Sequence, residues 1–344
     1  MPPSLRSVGI TAHGIARLVG RTGAWTVLRK VVPWNGVLCL NYHRIGDGSR
    51  SVFDRGVWSA DGDVFDGHVR CLKSHFDVVT PPDLPDILRR GKGRYVLLTF
   101  DDGYLDNYRV AFPILKTHGV LATFFVATGF LDDPHLAWWD EIAWMVRTSR
   151  KHRIEANPWL STQVVFDEPD REVAIRVLLS AYKLMPTNSN EAYLEFLAEA
   201  TGSGRYGPAH GDRTWMTWAM LREMRAAGML VGGHTVNHPV LARLAPERQW
   251  EEISACGERL EHELGEPMRY FSYPVGNRSS FNTHTRACLK KAGVQYAFSY
   301  YGGVCTFDEW DDLDVRRVGI VSDMGPDWMR AIVTLPGVCG RAAV

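Results

Sequence analysis

The chain contains no Cys-x-x-Cys pair. Its six cysteines, Cys39, Cys71, Cys256, Cys288, Cys305 and Cys339, are scattered. That spacing argues against both a thiolate zinc site and a disulfide framework, leaving buried, unreactive thiols as the expectation. There is no excess of charge either: 39 basic residues face 39 acidic ones, so the overall balance points to no nucleic-acid partner. No apolar run reaches the about 18 residues that a membrane-spanning helix needs. The N-terminal region lacks a secretory signature, because its apolar stretch is interrupted by Arg17, Arg21, Arg29 and Lys30; a cytoplasmic location is therefore expected.

What the chain does have is bulk to bury. Across 344 residues, 45% are hydrophobic and 11% aromatic, enough for one large domain or two ordinary ones. Residues 1–35 read as an N-terminal helical segment. From Ile10 to Val32 the apolar residues Ile15, Leu18, Val19, Trp25 and Leu28 recur at helical spacing among basic residues with no acidic one. This suits either a helix packed on the domain or peripheral contact with a membrane surface.

Beyond Pro33 the pattern changes. Gly36 to His43 is an apolar run with a polar end, as is Tyr95 to Gly103. Both predict buried strands that present His43 and Asp101-Asp102 at their C-terminal ends. A helix over Ala111–His118, stopped by Gly119, and a strand over Ala122–Thr128 complete a βαβ unit. About residues 137–215 amphipathic helices take over, Trp138–Arg150 and Glu168–Leu184 among them, and are read as an insertion. The rhythm returns with a helix over Thr217–Ala227 and a short strand over Met229–His234. A helix over Pro246–Leu264, the segment Tyr270–Gly276, a helix over Thr283–Ala292 and strands near Tyr296–Tyr300 and Val315–Val321 follow. Repeating β and α units predict an α/β fold, a distorted (β/α) barrel of seven strands over residues 36–322 with a mainly helical insertion. Residues 323–344 are left as a C-terminal tail or helix. In such barrels the chemistry sits at the C-terminal ends of the strands.

Asp101 and Asp102 are adjacent carboxylates at the end of an apolar strand, where two like charges are costly unless a cation or a proton is shared. Such a pair also serves to cap a helix or to make a turn with Gly103. His234 and His238 stand four apart in His234-Thr-Val-Asn-His238-Pro239, after what reads as a Gly-Gly turn, so two imidazoles can face one point. With one carboxylate they form a set suited to zinc and related divalent ions. The aromatic residues Trp138, Trp139, Trp144, Trp215 and Trp218 are either core or a surface on which sugars stack.

Three segments in this order, Thr99-Phe-Asp101-Asp102-Gly103, His234 to Pro239, and Phe271-Ser-Tyr-Pro274-Val-Gly276, resemble the polysaccharide deacetylases of carbohydrate esterase family 4. The resemblance covers about residues 37–320 apart from the insertion. It implies a hydrolase that removes N-acetyl groups from amino sugars, with an N-acetylated saccharide as substrate. It also implies a divalent metal on Asp102, His234 and His238: Zn2+, with Co2+, Ni2+ or Mn2+ as alternatives. Asp101 would be the general base toward water, and the Val275 backbone N–H, just after Tyr273 and Pro274, would stabilise the oxyanion.

The chain departs from the family in two places. Ser272 and Val275 stand where many members have arginine and tyrosine, and Arg269 is the nearby candidate to replace the guanidinium. The late Leu-x-His motif is missing, since the only histidine after His262 is His284, in a helix ending in Lys290-Lys291. His43 is the expected proton donor to the leaving amine, as in a branch of the family acting on exopolysaccharide; otherwise it orients Asp101. Two other readings keep the same residues: an amidase or deformylase acting on a lipid-linked or small substrate, and a carbohydrate-binding relic of the fold.

Overall fold

The computed structural model describes Trp25, Val27 and residues 34–167, 171–207 and 214–339. Seven parallel strands form a closed barrel: β1 (Gly36–Tyr42), β2 (Arg94–Phe100), β3 (Thr123–Val126), β4 (Leu230–Gly233), β5 (Tyr270–Ser272), β6 (Tyr296–Ser299) and β7 (Val315–Gly319). Closure is made by β1, which pairs with β2 from Gly36↔Arg94 to Tyr42↔Phe100 and with β7 at Cys39↔Arg317. A short strand, Asp77–Val79, adds to the lower half of β2, and β3 pairs with its upper half.

The strands read as unbroken apolar runs because both faces are buried. Side chains alternate between two cores. On β1 and β2, Leu38, Leu40, Tyr42, Val96, Leu98 and Phe100 face the outer helices. Val37, Cys39, Tyr95 and Leu97 face the barrel interior, where Phe125, Phe298 and Val315 meet them. Continuing the inward positions up the barrel gives Asn41, Thr99, Asp101, Ser272 and Arg317, all nearly or wholly inaccessible. The interior thus turns from apolar to polar along the strand direction, and the polar layer is the floor of the site.

The outer layer includes α1 (Gly62–His75), capped by Asp61, whose side chain accepts from the Val64 N–H at 2.8 Å, in a stretch for which the sequence pattern offered no element. Next come α2 (Leu84–Arg90) and α3 (Phe112–His118), the latter ended by Gly119 with φ 61°. Between β3 and β4 lie α4 (Trp138–Thr148), α5 (Arg171–Leu184) and α6 (Asn190–Thr201), with a two-residue antiparallel pairing of Arg153–Ile154 and Val164–Val165. The return to the barrel is α7 (Trp218–Ala226), α8 (Pro246–Leu264) and α9 (Thr283–Lys291). A last amphipathic helix, α10 (Pro326–Thr334), buries Trp328, Met329 and Ile332.

Gly232 and Gly233 belong to the strand expected over Met229–His234, and no turn separates them from it. A Cβ on Gly232 would lie 2.6 Å from the Phe125 ring, and one on Gly233 would lie 2.2 Å from Met268 Sδ; close packing is what requires glycine here. Most of the N-terminal segment assigned to helix and membrane contact lies outside the described residues. Trp25 packs edge-on against the His75 ring at 4.9 Å. Among the described residues no helix is long and apolar enough to cross a membrane.

Candidate active site

Every non-glycine residue with positive φ among the described residues belongs to one place. Asp102 (φ 76°), Thr235 (67°), His238 (54°) and Val275 (62°) come from the loops after β2, β4 and β5. Left-handed backbone at such residues costs about 1–3 kcal/mol each, and most for a β-branched valine, so packing must hold them there. Asp102, His238 and Val275 line one pocket of about 280 Å³ at the C-terminal mouth of the barrel, together with His43, Asp101, His234, Tyr273 and Tyr300.

Asp102 Oδ1 lies 3.4 Å from His234 Nε2 and 3.5 Å from His238 Nε2, and one ligand atom from each residue falls within 4.8 Å of the others. These are distances of convergence on a common centre. Asp102 Oδ1 is buried without a hydrogen-bond partner, which is costly unless a cation takes it. His234 is oriented by its Nδ1, 2.7 Å from the Ser272 carbonyl, so Nε2 faces the centre, the arrangement common behind metal-binding imidazoles. Burial, with His234 alongside, pushes the His238 imidazole down to about 3 and keeps it neutral. Burial also works against a charged His234, but Asp101 and Asp102 outweigh it and raise its affinity for a proton. Surplus negative charge, two neutralisable imidazoles and an orphaned oxygen fit a divalent cation.

The turn carrying His238 is fixed from two sides. Thr235 Oγ1 accepts the His238 N–H at 2.9 Å. Glu252, on α8, accepts the N–H groups of Val236 and Asn237 and the Asn237 side chain, each at 2.9 Å. Trp139 of α4 packs across the His238 ring at 4.6 Å and donates its indole N–H to Tyr104 at 2.7 Å. Trp138 also lines the pocket and stacks on Tyr182 at 4.2 Å. Of the remaining tryptophans, Trp215 stacks on Tyr104, Trp144 meets Tyr206 edge-on, and Trp218 donates to Asp132.

Asp101 does not share the Asp102 environment. Arg317 of β7 grips both its oxygens at 2.8 Å, and Asn41 and Ser272 donate to Oδ2 at 3.2 and 3.1 Å. Burial opposes ionisation, but the guanidinium overrides it and holds this carboxyl well below the usual range. Arg317 is wholly buried and also donates to Ser272 Oγ at 2.7 Å, so the small Ser272 leaves the room that the guanidinium fills.

The expectation that Arg269 supplies this guanidinium is therefore corrected. Arg269 precedes β5 and is exposed at the opposite mouth of the barrel, in a cleft with Pro82, Arg225 and Leu230. Tyr273 reaches the pocket wall but directs its hydroxyl to the Leu313 carbonyl at 2.8 Å and stacks on Phe281 at 3.9 Å, which makes it a packing residue. Pro274 is buried, and the N–H of the following Val275 meets no backbone acceptor among the described residues.

His43 follows β1 on the pocket rim, with its own N–H bonded to Ser59 Oγ and its ring edge-on to Tyr300 at 5.7 Å. His284 is exposed, its Nε2 3.1 Å from the Pro246 carbonyl. Sequence reasoning missed Arg317, Tyr300, Glu252 and Asp140. Only Arg317 had a readable signal: of two adjacent arginines in a barrel strand, one must face inward.

The family model described as Polysaccharide deacetylase matches residues 89–167 and 185–297. YxkH of Bacillus subtilis strain 168, named as a candidate polysaccharide deacetylase, is 21% identical over 292 residues, 84% of this chain and 72% of that protein. Among solved structures, the Streptococcus pyogenes deacetylase PplD in complex with acetate superposes with a TM-score of 0.56 at 19% identity, over 86% of this chain and 96% of its own. IcaB from Ammonifex degensii gives the same score at 22% identity, over 88% and 98%. At these identities the structures attest the fold.

Proposed function

Because the chain belongs to the polysaccharide deacetylase family, whose members are hydrolases, we propose that it removes N-acetyl groups from amino sugars of a polysaccharide or its precursor. The observation that carries this reading is a single pocket where Asp102, His234 and His238 converge beside a separately held Asp101 carboxylate. Those three residues would hold a divalent cation, zinc by the preference of two imidazoles and one carboxylate, with cobalt, nickel or manganese as competitors. Bound there, it would supply Lewis acidity toward an amide carbonyl and toward water.

The remaining steps fall to the chain itself. Asp101, kept ionised by Arg317, takes the proton of the water that attacks the acetyl carbon. The Val275 N–H donates to the carbonyl oxygen as negative charge builds on it. His43 gives a proton to the nitrogen as the C–N bond breaks, releasing acetate and a free amine. Trp138 and Trp139 shield the His238 side of the pocket from solvent.

The test of these roles is acetate release from N-acetylglucosamine oligomers by Asp101→Asn and His43→Ala. Each is expected to lose about 10²–10⁴ in kcat. Wild-type kcat in His43→Ala would remove the proton-donor role, and wild-type kcat in Asp101→Asn would remove the base.

A further inference from the structure

One wall of the pocket is built by α5 and the loop after β1. Arg176, Leu179 and Lys183 recur at helical spacing, so one face of α5 presents all three to the cavity beside Trp138, Asp54 and Val57. Neighbouring basic residues are already engaged: Arg147 and Arg55 share Glu172 at 2.6 and 3.5 Å. Arg176 and Lys183, by contrast, make neither an ion pair nor a hydrogen bond within the described residues. The Lys183 ammonium lies 5.9 Å from the centre of the Trp138 ring. The one carboxylate on this wall, Asp54, spends Oδ1 on the Gly56 N–H at 2.8 Å. Lys183 is partly buried, and desolvation lowers its proton affinity against the pull of Asp54, as for an ammonium that lacks a close counter-charge.

We infer that this wall is a subsite for an anionic substituent, so that the acetamido sugar taken by the pocket carries a phosphate or a carboxylate beside the acetamide. The inference rests on the deacetylase reading for the reaction but not for the anion. A guanidinium fork and an ammonium on one helix face match the oxygens of either group, and charge-assisted hydrogen bonds to both are stronger than neutral ones. The subsite belongs to this chain in particular: α5 falls in the interval 168–184 that the family match leaves out.

The test pairs binding with turnover. Calorimetry would measure binding of N-acetylglucosamine 1-phosphate, an N-acetylated amino-uronic acid and neutral chitotetraose to the wild type, Arg176→Gln and Lys183→Gln, with inorganic phosphate as the bare anion. Acetate release would be followed on the same sugars. The wild type is expected to bind one or both anionic sugars at least tenfold more tightly than the neutral one, and each substitution to shrink that preference about tenfold; which sugar gains tells phosphate from carboxylate. Equal binding of anionic and neutral sugars, or a preference untouched by both substitutions, overturns the subsite. Binding that depends on Arg176 and Lys183 without acetate release from any sugar would keep the subsite and count against the deacetylase reading. Release from neutral sugars with no anion preference would do the reverse.

Discussion

Two aspartates adjacent in sequence are held in opposite ways. Asp102 is left with an unpartnered oxygen toward two imidazoles, whereas Asp101 is saturated by Arg317, Asn41 and Ser272. The Asp101–Arg317 pair is wholly buried, so removing one member leaves the other uncompensated. Arg317→Met is expected to cost about 3–5 kcal/mol in chemical denaturation, and Asp101→Leu/Arg317→Met to regain most of it. A cost below about 1 kcal/mol for the single variant would show that the pair does not organise the barrel mouth.

Asp140 on α4 is a further buried carboxyl. Its Oδ1 accepts the Asp54 N–H at 2.9 Å and its Oδ2 has no partner. Burial pushes it up from 3.8 to about 7, opposed by Arg44 and reinforced by Asp54. A raised folded-state value means that stability present below about pH 4 is lost as pH rises toward and through about 7, by up to roughly 4 kcal/mol. Asp140→Asn removes this loss. The variant is expected to melt higher than the wild type at pH 8 and alike at pH 4; equal melting at both would contradict the assignment.

At the scale of elements, the turn between β4 and the rest of the His-x-x-x-His segment depends on α8. Glu252 accepts three donors from Val236 and Asn237, holding His238 in its left-handed backbone. Support of this kind behind a metal ligand is worth about 10–100-fold in affinity. Glu252→Ala should therefore weaken zinc binding by that factor in a competitive chelator titration while the fold is kept, and unchanged zinc affinity would show that the turn is rigid without it.

Much of this organisation was legible. Apolar runs with polar C-terminal ends placed His43, Asp101 and Asp102, and the four-residue spacing brought His234 and His238 together. Less visible were contacts between elements distant in sequence. Arg317 meets Asp101 across 216 positions, and nothing local separates it from the outward-facing Arg316. Glu252 looks like any acidic residue on a polar helix. Arg269 is a candidate from sequence because it is near Ser272, yet three residues along a strand span about 10 Å and carry it toward the other mouth. The need for glycine at the end of β4 is equally hidden, because crowding of Gly232 and Gly233 by Phe125 and Met268 leaves no mark in their own segment.

At the scale of the whole molecule, a closed parallel barrel collects loop residues from the ends of β1, β2, β4, β5 and β6 at one mouth, and the helices between β3 and β4 wall that mouth on one side. Its apolar lower interior fixes the strands, and the strained loops above hold the polar groups before any substrate arrives.

The central claim is a division of labour between adjacent carboxylates, one holding a cation and one moving a proton. The most direct measurement is zinc stoichiometry together with acetate release, for the wild type, Asp101→Asn and Asp102→Asn, from N-acetylated glucosamine oligomers and the anionic sugars. The account predicts one zinc in the wild type and in Asp101→Asn, little in Asp102→Asn, and acetate release in the wild type alone that disappears on chelation and returns with zinc. Full zinc binding by Asp102→Asn, or undiminished release by Asp101→Asn, would contradict it.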